Sequence, residues 1–375
     1  MESINKYLSY EQQLKNLESK KLVFPDDKSR DVFLEYLKEY NYSNFVLGLK
    51  NKLMFDSDGN YKKEFTSNNL RYLFDIDRNI SAIMWKYFKG LELHLNSSVI
   101  KVIAEVIQSK TNTPYLCCLS EVDFDDIFSN LSDVNYFETK AVIKKKMFIE
   151  EFYKNYDTIH TFNDVADRNL DQESDDIIRR IDNSWIKKRM DTTDKRKKKW
   201  IYIQIFTLCA SFSFSQILKV YKAVNMSLKN KIIYEFSKNI KKYYKVKMTD
   251  KDMNDLMAVM SKLRNALAHN GCMIKHRGYL SNDSKIFDFF ELEKNVGYKS
   301  TFLYLNDFVK IIEKIRGMHD GKIIEEIFDS IKYKIKQSNN KDEVSPLLYE
   351  IIEYETKFVF PKSVKNVNKV SRTKK

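Results

Sequence analysis

Residues 67–108 read SNNLRYLFDIDRNISAIMWKYFKGLELHLNSSVIKVIAEVIQ, and the apolar positions in this stretch decide the fold class. Leu70, Leu73, Phe74, Ile80, Met84, Tyr87, Phe88, Leu91, Leu95, Val99, Val102, Ile103 and Val106 follow a spacing of three and four. That is the period of one helical face. Ser67 is the expected N-cap. At ~1.5 Å per residue the helix would run about 60 Å, so it either bends or serves as the spine of a bundle. Pro114 follows its end.

Composition points the same way. Gly 8 and Pro 4 in 375 residues are too few for turn-rich sandwiches, barrels or glycine-rich nucleotide folds. Hydrophobic residues at 43%, with Tyr 23 and Phe 25, are enough for a core and exclude wholesale disorder. The expectation is an all-α chain above 55% helix, with at most a minor hairpin.

Working outward, residues 1–66 read as short N-terminal helices, one starting at Phe24-Pro25-Asp26-Asp27, with a turn at Asp56-Ser57-Asp58-Gly59-Asn60. Residues 111–196 are rich in Asp, Asn and Ser and read as an inserted helical subdomain ending in a basic run. Strong helical patterning returns over 197–330 in the segments 200–222, 225–245 and 249–269. The expected core therefore joins 67–110 to 197–330, and 331–375 adds C-terminal helices and a basic tail. Trp200 to Leu218 holds nineteen residues without a formal charge. Gln204, Thr207, Ser211, Ser213, Ser215 and Gln216 are polar, which favours a buried core helix over a membrane span.

Lys+Arg 65 against Asp+Glu 52 leaves a net charge of +13, which suits a polyanionic partner. The stretch Lys187-Lys188-Arg189-Met190-Asp191-Thr192-Thr193-Asp194-Lys195-Arg196-Lys197-Lys198-Lys199-Trp200 carries eight basic and two acidic residues. It reads as a track for a phosphate backbone or as a solvated linker; Lys241, Lys242 and Lys245 add to the positive surface. RNA is the expected partner. The four cysteines form no C-x-x-C pair, no metal-ligand cluster is visible, and the N-terminal residues do not resemble a signal peptide. A cytoplasmic protein without a metal or cofactor, and without membrane attachment, is expected.

Chemistry has few candidates among five histidines. His94 reads as a packing or surface residue, and His160 and His319 have no polar cluster to serve. His269 closes the segment Leu263-Arg264-Asn265-Ala266-Leu267-Ala268-His269-Asn270-Gly271, in which Leu256, Met260, Leu263 and Leu267 form the apolar stripe and Gly271 can stop the helix. Asn265 and His269 share a side, while Arg264 lies about 140° away from His269. Arginine offers a fork for a phosphate, histidine moves a proton near neutral pH, and asparagine can hold either. On spacing alone two readings stand: a metal-free RNA-cleaving set, or a helix C-terminus whose charged residues offset the dipole.

The segment Leu263 to Asn270 resembles the L-R-N-x-x-A-H-H signature of AbiD/AbiF-type abortive infection proteins of the HEPN superfamily. Phe74-Asp75 and Leu91-Glu92 on the long helix are similar to that family's F-D and I-E elements, and Trp200, Ser213-Phe214-Ser215 and Tyr221 echo its next apolar segment. Asn270 stands where a second histidine is usual, Ser215 where glycine is common, and Asn96 interrupts the pattern after Leu95. The resemblance implies a HEPN-like helical bundle that pairs through the motif helix as a homodimer, with Arg264 and His269 catalytic and Asn265 supporting. It further implies a phage-defence toxin acting as a metal-independent endoribonuclease, held in check by a partner such as a structured noncoding RNA. The alternative is a non-catalytic RNA-binding scaffold in which the motif helix is structural or contacts RNA.

Overall fold

The computed structural model describes residues 8–111, 116–118, 186–189, 200–204, 213–224, 226–240, 247–294, 298–337 and 345–361. Helix dominates the described residues, as expected, and strands are confined among them to two small sheets. The chain divides into two compact units, residues 1–89 with 258–375, and residues 90–257.

The first unit is built around the N-terminal part of helix α3 (Ser67–Thr111). Helices α1 (Tyr10–Ser19) and α2 (Asp27–Tyr42) precede it. Each starts as its sequence directs: Ser9 and Gln12 form a capping box, and the Asp26 carboxylate accepts from the Ser29 amide at 2.7 Å. A π-helical turn over Ser43–Leu47 then brings Phe45 inward. Phe45, Tyr36 and Tyr40 pack around Phe74 of α3, with ring centroids 5.2, 6.2 and 4.8 Å from it. The Tyr36 hydroxyl also donates to Asp75 at 3.0 Å.

The apolar stripe of α3 is buried from Leu70 through Val102; the side chains of Ile103 and Val106 lie outside the described residues. Its cap is Thr66 rather than Ser67: the Thr66 hydroxyl accepts from the Asn69 amide at 3.4 Å and from the Asn69 side chain at 3.0 Å. Ser67 is already helical because its own amide bonds to the Val23 carbonyl at 2.9 Å. The remaining carbonyl of the Asn69 side chain accepts from the Ser345 amide at 3.0 Å.

Later in this unit come β4 (Gly278–Ser281), α7 (Ile286–Phe290), β5 (Ser300–Leu303), α8 (Leu305–Ile315), α9 (Lys322–Gln337) and α10 (Pro346–Thr356), numbered after the elements of the second unit given next. β4 and β5 pair antiparallel, Gly278 opposite Leu303. Buried Glu355 of α10 accepts from both Asn51 and Arg277, which ties the last helix to the chain at either side of α3.

The second unit holds β1 (Leu116–Cys118), β2 (Ile186–Arg189), β3 (Trp200–Gln204), α4 (Phe214–Ala223) and α5 (Met226–Ser237), together with residues 90–111 of α3. The helix α6 (Asp250–Ala268) begins here. The strand order is β1-β3-β2, with both pairings antiparallel. This corrects the helix expected over 200–222, since 200–204 is the central strand; of the rest, Phe214–Ala223 is helical and 205–212 lie outside the described residues. Trp200-Ile201-Tyr202-Ile203 is a run of aromatic and β-branched residues, which fit a pleated surface better than a helix. The described stretches of the expected helical insertion, 116–118 and 186–189, are likewise strands. Among the described residues no helix is long and apolar enough to cross a membrane. His94 does pack: its Nε2 lies 3.0 Å from the Phe236 carbonyl and its ring 5.3 Å from that of Phe236.

Candidate functional site

The motif helix α6 is capped by Thr249 and Asp252, each side chain bonding the other's amide. Met253, Leu256, Met260 and Leu263 are fully buried and Leu267 nearly so, which is the stripe expected. Ala258, Lys262, Asn265 and His269, at helical spacing of three to four, are exposed and form the opposite face.

The end of α6 is a Schellman turn. The Gly271 amide reaches back to the Ala266 carbonyl at 2.7 Å and the His269 amide to that of Asn265 at 3.0 Å. Asn270, with φ of 55°, supplies the left-handed residue. Gly271 does not, contrary to the expectation that it stops the helix by its own conformation; a Cβ there would lie 3.1 to 3.3 Å from Ala266, a tight approach that glycine avoids. Position 270 demands a residue that tolerates positive φ, and asparagine and histidine are both enriched there.

Asp77 and Arg78 of α3 hold this turn. Arg78 donates from Nη1 to the Asn270 carbonyl and from Nη2 to the Gly271 carbonyl, each at 3.0 Å, and also to Asp77. Its guanidinium sits 5.3 Å from the Phe74 ring. Asp77, with no exposed surface, accepts from the Ile274 amide at 2.8 Å and from the Cys272 thiol at 3.4 Å. Burial, and then the Asp77 charge, push the Cys272 thiol far above its ordinary value, so it stays protonated as a donor. No sequence motif pointed to these two roles. An Asp-Arg pair on an otherwise apolar helical face was the available signal.

His269 is thus the exposed residue that directly follows α6, and the carbonyls of the next two residues are bound by an arginine. Arg264 is half-buried, and its Nε is buried without a hydrogen-bond acceptor among the described residues. A buried donor left in this state costs free energy and calls for an explanation. Asn265 is exposed on the His269 side. Of the basic residues expected to bind RNA, Lys187, Lys188 and Arg189 form β2, opposite Tyr202, Ile201 and Trp200. Lys195, Arg196, Lys197, Lys198, Lys199, Lys241, Lys242 and Lys245 lie outside the described residues, as does His160. Exposed His319 bonds only the neighbouring Asp320 carbonyl, at 2.8 Å. Among the described residues no group of three or more His, Cys, Asp or Glu could hold a metal ion.

His276 was missed as well. Its ring lies 5.1 Å from that of Phe308, its Nε2 is buried without a partner, and burial pushes its pKa down to about 4, helped by the charges of Arg277 and Lys262.

A family model described as Abi-like protein matches residues 33–275. No curated protein and no solved structure gives a significant match.

Two outcomes test this description. Arg78→Ala should lower stability by roughly 1.5–3 kcal/mol and speed amide exchange at Gly271 and Ile274. Unchanged exchange at both amides would contradict the clamp. His276 stays neutral in the fold while the unfolded chain binds its proton from about pH 6.5, so its contribution is complete above that pH and is lost as the pH falls towards 4. His276→Phe should therefore flatten the stability curve in that window by ~3 kcal/mol, read by urea unfolding at a series of pH values. A slope equal to that of the parent would contradict it.

Proposed function

Because the chain belongs to the Abi-like family of abortive-infection proteins, we propose that its part in phage defence is to bind and cut RNA as a metal-independent endoribonuclease of HEPN type. The observation that carries this reading is the presence at one helix end of an exposed imidazole, His269, and of a half-buried guanidinium, Arg264, whose Nε has no acceptor among the described residues.

The chemistry follows from those groups. The 2′-hydroxyl of the RNA attacks the adjacent phosphorus, a new bond from the 2′-oxygen to phosphorus forms, and the bond from phosphorus to the 5′-oxygen breaks. His269 takes the 2′-hydroxyl proton or gives one to the departing 5′-oxygen. Arg264 turns its guanidinium to the phosphate as negative charge builds on it, and Asn265 holds a phosphate oxygen or the imidazole. One chain supplies one such histidine. Pairing of two copies through the exposed Ala258, Lys262, Asn265 and His269 face would bring a second, and small Ala258 lets the backbones approach. The clamp from Asp77 and Arg78 keeps the end of the helix from fraying, so the imidazole is presented in one place.

A toxin of this kind has to be silent in a healthy cell. Occupation of the same surface by a structured noncoding RNA, read through its backbone and unpaired bases, would achieve that with the net charge of +13.

The test is growth arrest on expression, alongside RNA integrity. Arg264→Ala or His269→Ala should abolish arrest and cleavage, by ~100-fold or more in rate, with the circular dichroism spectrum unchanged. Asn265→Ala should be milder. Arrest that survives both of the first two changes would remove the nuclease reading and leave RNA binding as the function.

A further inference from the structure

One concavity lies away from the motif residues. A cavity of about 670 Å³ opens between α5 and the first turn of α6, well inside the ~300–1,000 Å³ range of small-ligand sites. Its floor is apolar, with Ile233 and Met248 buried. Its wall carries two large side chains that are unusually open to solvent, Tyr234 at 55% and Met226 at 46%. Two lysines, Lys247 and Lys251, stand exposed at its rim, and Asn230 adds an exposed amide.

The polar groups divide into committed and uncommitted ones. Asp250 accepts from the Tyr221 hydroxyl and pairs with buried Lys229 at 3.5 Å, and the Ser237 hydroxyl donates to the Ile233 carbonyl at 2.6 Å. These fix the walls. Lys247 and Lys251 make no ion pair among the described residues. Facing the cavity there are therefore two exposed lysines, an exposed amide able to bond a heterocycle edge, and a slot edged by the exposed Tyr234 and Met226.

We propose that this cavity is a nucleotide pocket that takes one unpaired nucleotide of an RNA strand, its base against Tyr234 and Met226 and its phosphate at Lys247 and Lys251. A flat ring with a π-face stacks on tyrosine whatever its identity, so the pocket is tolerant of sequence. An acidic peptide would satisfy the lysines and leave the slot unfilled, and an apolar ligand would leave the cations unused. A paired base cannot enter, because its edge and face are covered in the duplex. The inference rests on the RNA-binding reading of the previous section and gives that reading a second contact point with its own residues.

The experiment measures binding of a fluorescent 12-nucleotide single-stranded RNA to the full chain carrying His269→Ala, so that the probe stays intact, over a range of salt concentrations. Tyr234→Ala should weaken binding about tenfold with the salt slope unchanged, because stacking releases no counterions, and Tyr234→Phe should retain the affinity. Lys247→Gln with Lys251→Gln should instead reduce the magnitude of the slope by roughly 0.7, the share of the one phosphate they hold. Thermal unfolding of each variant separates lost contact from lost fold, and the lysine pair is exposed enough to change without disturbing the core. Binding by Tyr234→Ala equal to that of the parent would overturn the pocket while leaving RNA binding in place. Binding of uridine monophosphate as tight as that of the strand would overturn the assignment to RNA in favour of a free nucleotide. Failure of the parent to bind any RNA, single-stranded or folded, would overturn the RNA reading itself.

Discussion

The carboxylate of Asp77 lies wholly inside the protein, and with the neighbouring Arg78 it binds the backbone of 270, 271 and 274. The rest of the site depends on this interaction. Just past the end of α6 the chain turns, and one side chain, that of Arg78, binds two carbonyls of that turn. The aromatic cluster of Tyr36, Tyr40 and Phe45 around Phe74 fixes the stretch of α3 that carries the pair, and Phe74 also backs the Arg78 guanidinium. The N-terminal helices thereby bear on the motif turn without touching it through any motif residue. A buried charge pair of this kind is weak as a source of stability and strong as a source of position, since breaking it leaves an uncompensated charge inside.

How much of this was legible in the sequence differs between elements. The stripe of α3 was readable because thirty-odd residues of helical period average out local exceptions, and the stripe of α6 because its polar face is as regular as its apolar one. The cap at Thr66 rather than Ser67 was not, because the choice rests on Val23, which is distant in sequence. The strand at Trp200–Gln204 was misread for a related reason: an uncharged run has no period to separate a central strand from a buried helix, and its partners Leu116–Cys118 and Ile186–Arg189 sit far away along the chain. β-branched and aromatic content was the better guide.

The site was legible in its residue types and not in its support. Arg264, Asn265 and His269 were singled out from spacing and resemblance as candidates, and the structure places Asn265 and His269 on the exposed side with Arg264 half-buried. Asp77, Arg78 and His276 act through contacts made across the fold, which leave no spacing to recognise. Asn270 is the instructive case. As a departure from a motif it suggests lost chemistry, whereas its φ of 55° shows a backbone requirement that asparagine meets.

The central claim is that the end of α6 cuts RNA by using the substrate's own 2′-hydroxyl, and the ends of the products test it most directly. Purified protein incubated with RNA in EDTA should yield 2′,3′-cyclic phosphate and 5′-hydroxyl ends by mass spectrometry, and a single 2′-deoxy substitution at the cut position should block that cut. Products bearing 3′-hydroxyl and 5′-phosphate ends, or cleavage at the 2′-deoxy position, would contradict it.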